Sequence, residues 1–222
     1  MSGAFWFPIS FGILLGMHIV IYFIQRYVRH RVTPTKLGGE SGILAYLVSW
    51  WYFIFWPFME ISRSAKKRRK WLEQAGVKED DVYLEEGFGF GSSPLLASGI
   101  VGEAGKVIAI DAALINVIAL WLRGKIHRRK NLIVIFADSS DTQLPNESVD
   151  TVFICDAFHE FGDKEGTIKE LHRVLKPDGT LSIWDESEKR ANKNMETVSP
   201  LGLFSLEEQD KAFVRFKKAD AK

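Results

Sequence analysis

The stretch Val82-Tyr83-Leu84-Glu85-Glu86-Gly87-Phe88-Gly89-Phe90-Gly91 decides how this chain is read. A short strand-prone run, Val82–Glu86, feeds directly into glycines at alternate positions. Glycine reaches backbone conformations that other residues avoid, so such a loop turns tightly and lets a ligand approach the main chain. Ser92-Ser93-Pro94 follows, with a serine placed as a helix cap and a proline in the first turn. The dinucleotide fingerprint would need glycine at position 92, where Ser92 stands.

Working outward from the loop, strands and helices alternate. Lys66–Gln74 reads as a charged helix stopped by Gly76. Lys106–Ile110 is a β-branched strand ending at Asp111, Ala112–Ile126 is helical, and Leu132–Phe136 is the third strand. Thr151–Cys155 is the fourth, Lys164–Leu175 a helix, and Thr180–Trp184 the fifth after the Lys176-Pro177-Asp178-Gly179 turn. Ser187–Ser199 is polar and poorly periodic and reads as a loop. Phe204–Glu207 and Phe213–Lys217 form a closing antiparallel hairpin. The expected fold is a Rossmann-like, doubly wound α/β domain over 66–222, with a mainly parallel seven-stranded sheet.

Ligands bind such sheets outside the carboxyl ends of the strands. Glu85, with Gly87, Gly89 and Gly91, ends the first strand; Asp111, with Ala112 beside it, ends the second. An acid about 20 residues past the glycines is placed to accept hydrogen bonds from ribose hydroxyls. Asp138 and Ser139 end the third strand, and Asp156-Ala157-Phe158-His159-Glu160 leaves the fourth. Cys155 is the single cysteine. It lies within a strand and reads as core rather than nucleophile, and no cysteine-based metal cluster can form. No metal site is expected.

Taken together, residues 70–217 resemble class I S-adenosylmethionine-dependent methyltransferases. Glu85 two residues before Gly87-Phe88-Gly89-Phe90-Gly91 is similar to the first motif of that family. Lys106–Asp111, Ala137-Asp138 with Leu144-Pro145, Phe158-His159-Glu160, and Leu175–Leu181 resemble its later segments. Glu86, Phe88 and Phe90 depart from the family, which has an apolar residue at the first position and smaller ones at the other two. The resemblance implies S-adenosyl-L-methionine as cofactor. It assigns Glu85 to the ammonium side, Asp111 to the ribose and Asp138 to the adenine, with Asp156 near cofactor or acceptor. If the acceptor must lose a proton, His159 is the leading base because its pKa naturally lies near neutrality, with Glu160 second.

The chain before this domain has a different texture. Across 222 residues Lys+Arg 29 nearly balances Asp+Glu 28, which argues against a general nucleic-acid surface. Yet Met1–Gln25 contains no Asp, Glu, Lys or Arg, and Arg26, Arg29 and Arg31 follow at once. Roughly 20 apolar residues cross a hydrocarbon core, so 1–31 is expected to be a transmembrane anchor. The following basic residues place the bulk of the chain on the cytoplasmic side of a single-pass topology. Segment 32–65 contains the aromatic run Gly42–Met59, including Trp50, Trp51 and Trp56, just ahead of a basic cluster. It is expected to lie in the membrane interface, a second span being the alternative.

The expected partners are the lipid bilayer and a lipophilic acceptor: a phospholipid headgroup, a quinone or an isoprenoid. The alternatives are methylation of a membrane protein and a non-catalytic cofactor-binding scaffold.

Overall fold

The computed structural model describes residues 65–219. The expected anchor (1–31) and nearly all of the interfacial segment (32–65) lie outside the described residues. No helix among the described residues is long and apolar enough to cross a membrane.

The elements run α1 (Ala65–Gln74), β1 (Val82–Glu86), α2 (Ser92–Ile100), β2 (Lys106–Asp111), α3 (Leu114–Ile126), β3 (Leu132–Phe136) and β4 (Val149–Cys155). After a 3-10 turn at Phe158–Glu160 come α4 (Lys164–Val174), β5 (Leu175–Trp184), α5 (Glu188–Val198), a second 3-10 turn, β6 (Phe204–Asp210) and β7 (Phe213–Lys218). The sheet order is β3-β2-β1-β4-β5-β7-β6. Strands β1 to β5 pair in parallel, while β7 is antiparallel to both β5 and β6. The doubly wound expectation and its closing hairpin therefore hold, with β7 inserted between β5 and β6.

Side-chain alternation along each strand assigns the two helical layers. Tyr83, Val107 and Phe153 pack against Trp71 and Leu72 of α1 and Ala97 of α2. Ala109 joins Leu95 of α2 and Leu120 of α3. Leu84, Ile108, Ile110, Val152 and Ile154 face the opposite layer, where Ile168 and Leu171 of α4 and Ala191 and Val198 of α5 complete the larger core.

Three local expectations need correction. Segment 187–199 is not a loop: it forms α5, whose cap Ser187 accepts from the Arg190 amide. Its apolar stripe is sparse, but Ala191 and Val198 suffice to seat it on the sheet. The cap of α2 is Gly91 in the left-handed conformation, φ 74°, rather than a serine. Strand β5 begins at Leu175, paired with Val149, and resumes at Thr180 opposite Thr151, so the Lys176–Gly179 turn is an excursion within the strand.

Candidate active site

Two positions of the loop after β1 are confined to glycine because their surroundings leave no room for a Cβ. Gly87 has φ +67°, and an added Cβ would lie 2.6 Å from the Ala157 Cβ. Gly91 has φ +74°, and a Cβ there would lie 2.5 Å from Leu120. The first contact joins the glycine loop to the segment leaving β4; the second seats it on α3. Phe88, a departure from the family pattern, is buried with Leu95, Ala109 and Leu120, so its ring fills core rather than the loop's outer side. The Phe90 carbonyl accepts from Arg123, whose guanidinium also donates to Ser92.

Asp111 is the hub of this half of the site. Its carboxylate accepts from the amides of Gly89 at 2.9 Å and Ala113 at 2.8 Å, and from Asn116 at 3.1 Å. It thereby ties the glycine loop to the start of α3. A carboxylate offers about four acceptor positions, so about one is left for a ligand. Burial pushes its pKa up to about 6, although those hydrogen bonds oppose the rise. Ala112 beside it is exposed.

The two acids ending β1 diverge, as successive residues of a strand must. Glu85 is buried and accepts from the Tyr83 hydroxyl at 2.6 Å. Burial, reinforced by this neighbouring carboxylate, raises the Tyr83 phenol well above its ordinary pKa. Glu86 points the other way and is fully buried. Neither of its oxygens makes an aligned hydrogen bond, and Ser139 is the hydroxyl beside it. Burial, with Asp111, Asp138 and Glu170 nearby, pushes it up to about 8. Burial thus favours the protonated form of Glu86 near neutral pH.

Asp138 accepts from the amide and hydroxyl of Ser140, closing a local turn. The rest of that loop is held by Glu170 of α4, which accepts from the Thr142 amide at 2.9 Å and hydroxyl at 2.6 Å and is bracketed by Arg173. Burial raises the Glu170 pKa, but the hydrogen bonds from Arg173 and Thr142 outweigh it and the net shift is downward. Sequence reading missed Glu170, because a carboxylate at a helix position carries no strand-end signal.

At the end of β4, Asp156 adopts φ 56°, a left-handed conformation uncommon for a side-chain-bearing residue. His159 lies in the 3-10 turn, and its Nδ1 is 3.2 Å from Asp185 at the end of β5. Asp185 has no exposed surface and also accepts from Arg190 at 3.2 Å and Asn194 at 3.3 Å. The rule that selects Asp111 and Asp138 applies equally to Asp185 and would have found it. Glu160 is largely solvated, 3.8 Å from the His159 Nε2. Asp156, His159 and Asp185 each direct one donor atom into a space where all lie within 4.8 Å of one another. Arg190 already supplies the cation there, 3.2 Å from Asp185 and 3.8 Å from Asp156.

The fold thus gathers the predicted residues along the carboxyl edge of β1 to β4: the glycine loop, Asp111, Asp138 with Ser139, and Asp156 with His159. Only Glu85 is turned toward Tyr83 and away from Glu86. These features fit a cationic nucleoside cofactor: the loop is confined to glycine at Gly87 and Gly91, and acids stand at successive strand ends.

Comparison with known proteins gives the same reading. Residues 84–183 match the family described as a methyltransferase domain. The chain is 28% identical over 123 residues to a demethylmenaquinone methyltransferase from Lactobacillus johnsonii, covering 54% of this chain and 50% of that protein. It is 29% identical over 133 residues to a ubiquinone/menaquinone biosynthesis C-methyltransferase from Pectobacterium carotovorum, covering 59% and 52%. The chain therefore spans about half the length of these relatives. Among solved structures, a SAM-dependent methyltransferase from Aquifex aeolicus superposes with TM-score 0.61 at 26% identity, over 68% of this chain and 89% of that one.

Proposed function

We infer that this chain, which carries an S-adenosylmethionine-dependent methyltransferase domain, is a membrane-anchored enzyme acting on a lipophilic acceptor of the quinone type. The observation that carries this reading is a juxtaposition in one sequence. An uncharged apolar stretch, Met1–Gln25, precedes a domain similar to methyltransferases named for demethylmenaquinone and for ubiquinone/menaquinone biosynthesis. The catalytic domain is assigned to the cytoplasmic side by the basic residues that follow the apolar stretch.

When bound, the cofactor supplies an electrophilic methyl group on a sulfonium. The glycine loop supplies its cradle, Asp111 the remaining acceptor position for ribose, and Asp138 with Ser139 the adenine side. Glu85, held by the Tyr83 hydroxyl, is the acid on the ammonium side, and Asp156 borders the acceptor. Opposite charge near a sulfonium is favourable, the more so away from bulk water. His159 is the base: Asp185 lies 3.2 Å from its Nδ1, without an aligned hydrogen bond, and a small rotation of the ring that lets Nδ1–H donate to that carboxylate leaves Nε2 as the proton acceptor. From that position His159 accepts the proton of an acceptor hydroxyl, while Asp185, itself held by Arg190 and Asn194, fixes the ring. Glu160 lies close enough to Nε2 to assist the proton's departure to water.

The test is to incubate membranes containing the full chain with methyl-deuterated S-adenosylmethionine and analyse lipid and protein extracts by mass spectrometry. Label in a quinone fraction is the expected result. Label confined to phospholipid or to protein would replace the acceptor class. Cofactor binding without label in any fraction would replace the enzyme reading with a scaffold.

A further inference from the structure

Helix α3 carries an apolar face that nothing among the described residues covers. Its inner side is buried at Leu120 and Gly124, against the glycine loop and β3. Its outer side should then be polar, as on an ordinary surface helix. Instead Ile118 is 45% exposed, Trp121 52%, Leu122 48% and Ile126 75%. These positions are spaced three, four and eight residues from the first, so they form one continuous stripe. Isolated exposed apolar residues are normal, but a contiguous patch on one helix marks an interaction surface.

Charge identifies the occupant. From Ala112 to Ala137 the sequence contains no acid. Lys125, with its ammonium over the Trp121 ring, and Arg128, Arg129 and Lys130 beyond the helix are all exposed. An apolar stripe with tryptophan, rimmed by cations, suits an anionic bilayer surface. A second copy meeting the same face would oppose these cations to themselves. The chain's own segment before α1 is no better matched, because its five Lys and Arg residues outnumber its two acids, Glu40 and Glu60.

The place where the chain enters the domain agrees. Helix α1 starts at Ala65, directly after the 64 residues that contain both apolar stretches. It belongs to the same layer as α2 and α3, and presents exposed Lys66, Lys67 and Lys70. We propose that the outer face of α3 from Ile118 to Ile126, with the basic turn through Lys130 after it, docks on the anionic headgroup surface of the bilayer, with Trp121 and Ile126 inserted. The N-terminal end of α3 adjoins Asp111, so docking fixes how the rim of the active site meets the membrane. This rests on the membrane reading above but not on the acceptor.

The test uses the full chain reconstituted in vesicles, with photoreactive benzoylphenylalanine replacing Trp121, or replacing exposed Lys193 on α5 in the opposite layer as the control. Vesicles contain either phosphatidylglycerol mixed with phosphatidylcholine, or phosphatidylcholine alone. Irradiation should give lipid adducts at 121 that exceed those at 193 by about tenfold and fall several-fold without the anionic lipid. Equal adducts at both positions, or adducts at 121 only to a second copy or to another segment of the chain, would overturn the proposal. Carbonate washing separates the two readings. A chain that washes off yet gives lipid adducts at 121 loses the anchor and keeps this surface. A retained chain without them loses only this surface.

Discussion

The His159 Nδ1 stands 3.2 Å from the carboxylate of Asp185, a residue with no exposed surface at the end of the neighbouring strand. The two come from different strand ends, so their approach is a property of the β4–β5 pairing rather than of local sequence. Arg190 and Asn194, both from α5, hold the carboxylate from its other sides. His159, the proposed base, should be sensitive to the loss of this support, though less than to its own loss. His159→Ala should lower kcat by roughly 10²–10⁴-fold, the range of general base catalysis. Asp185→Asn should lower kcat by a smaller factor, with cofactor affinity unchanged. In the His159→Ala background Asp185→Asn should have almost no further effect, since interacting residues are not additive. Full additivity in that double-mutant cycle would show that Asp185 acts independently of the histidine.

Glu86 should give the folded protein an alkaline weakness. Its carboxyl has an ordinary pKa of 4.5 and is pushed up to about 8 by burial and three acidic neighbours. Between those values the folded chain holds a proton that the unfolded chain has released. Stability therefore falls as pH rises through that window. At about 1.4 kcal/mol per pKa unit the cost is on the order of a few kcal/mol above pH 8. Asp111, raised from 3.8 to about 6, adds a slope of the same sign at lower pH. Glu86→Gln should leave Tm near the wild-type value at pH 5 and raise it clearly at pH 9. Parallel Tm curves for the two proteins across that range would mean that Glu86 keeps no buried proton.

Much of this arrangement is legible in the sequence, and the reason is local. Strand β1 and the glycine loop are coded by a β-prone run followed by residues that tolerate left-handed φ. The acids at the ends of β2 and β3 are recognisable because strand ends can be read from neighbouring turns. What escapes is whatever depends on packing across the sheet. Helix α5 has too few apolar residues to announce itself, yet Ala191 and Val198 find the core. Asp185 stands at a strand end that the same rule reads, but its pairing with His159 is set across the β4–β5 junction and is not written in either segment. Glu85 and Glu86 look alike in sequence, and only the pleat separates a carboxylate bonded to Tyr83 from an acid beside Ser139.

Gly91 offers a test of the loop that does not depend on catalysis. Its left-handed φ already disfavours a side chain, and a Cβ would meet three Leu120 atoms at 2.5–2.9 Å. Leucine is flexible, but Leu120 is fully buried, so its escape is limited. Gly91→Ala should destabilise the domain by roughly 1–3 kcal/mol, the range for a strained backbone position. Gly91→Ala/Leu120→Ala should recover the cofactor affinity lost in the single variant, because it removes the clash, while remaining less stable through the cavity it leaves. Calorimetric titration and thermal unfolding on the same samples separate the two effects. If the double variant binds no better than Gly91→Ala, contact with Leu120 is not what shapes the loop.

Asp111 links the loop to pH. Its carboxylate holds the Gly89 and Ala113 amides and has about one acceptor position left for a ligand. Burial raises its pKa to about 6, so below that value it carries a proton and accepts less well. Affinity for S-adenosylmethionine, or for its demethylated product, should therefore be steady above pH 7 and weaken as pH falls through 6. The direction follows from burial opposing the ionised form, with the ligand's hydroxyl donors favouring it. Asp111→Asn keeps the shape but presents an amide donor where an acceptor is needed. It should weaken binding by roughly 1–3 kcal/mol, the scale of a hydrogen bond involving a charged group. It should also abolish the acid limb, leaving affinity flat from pH 7 to pH 5. Calorimetry on the full chain in detergent measures both. An acid limb that survives in Asp111→Asn would assign the titration to another group, and unchanged affinity at pH 7 would remove Asp111 from the cofactor site.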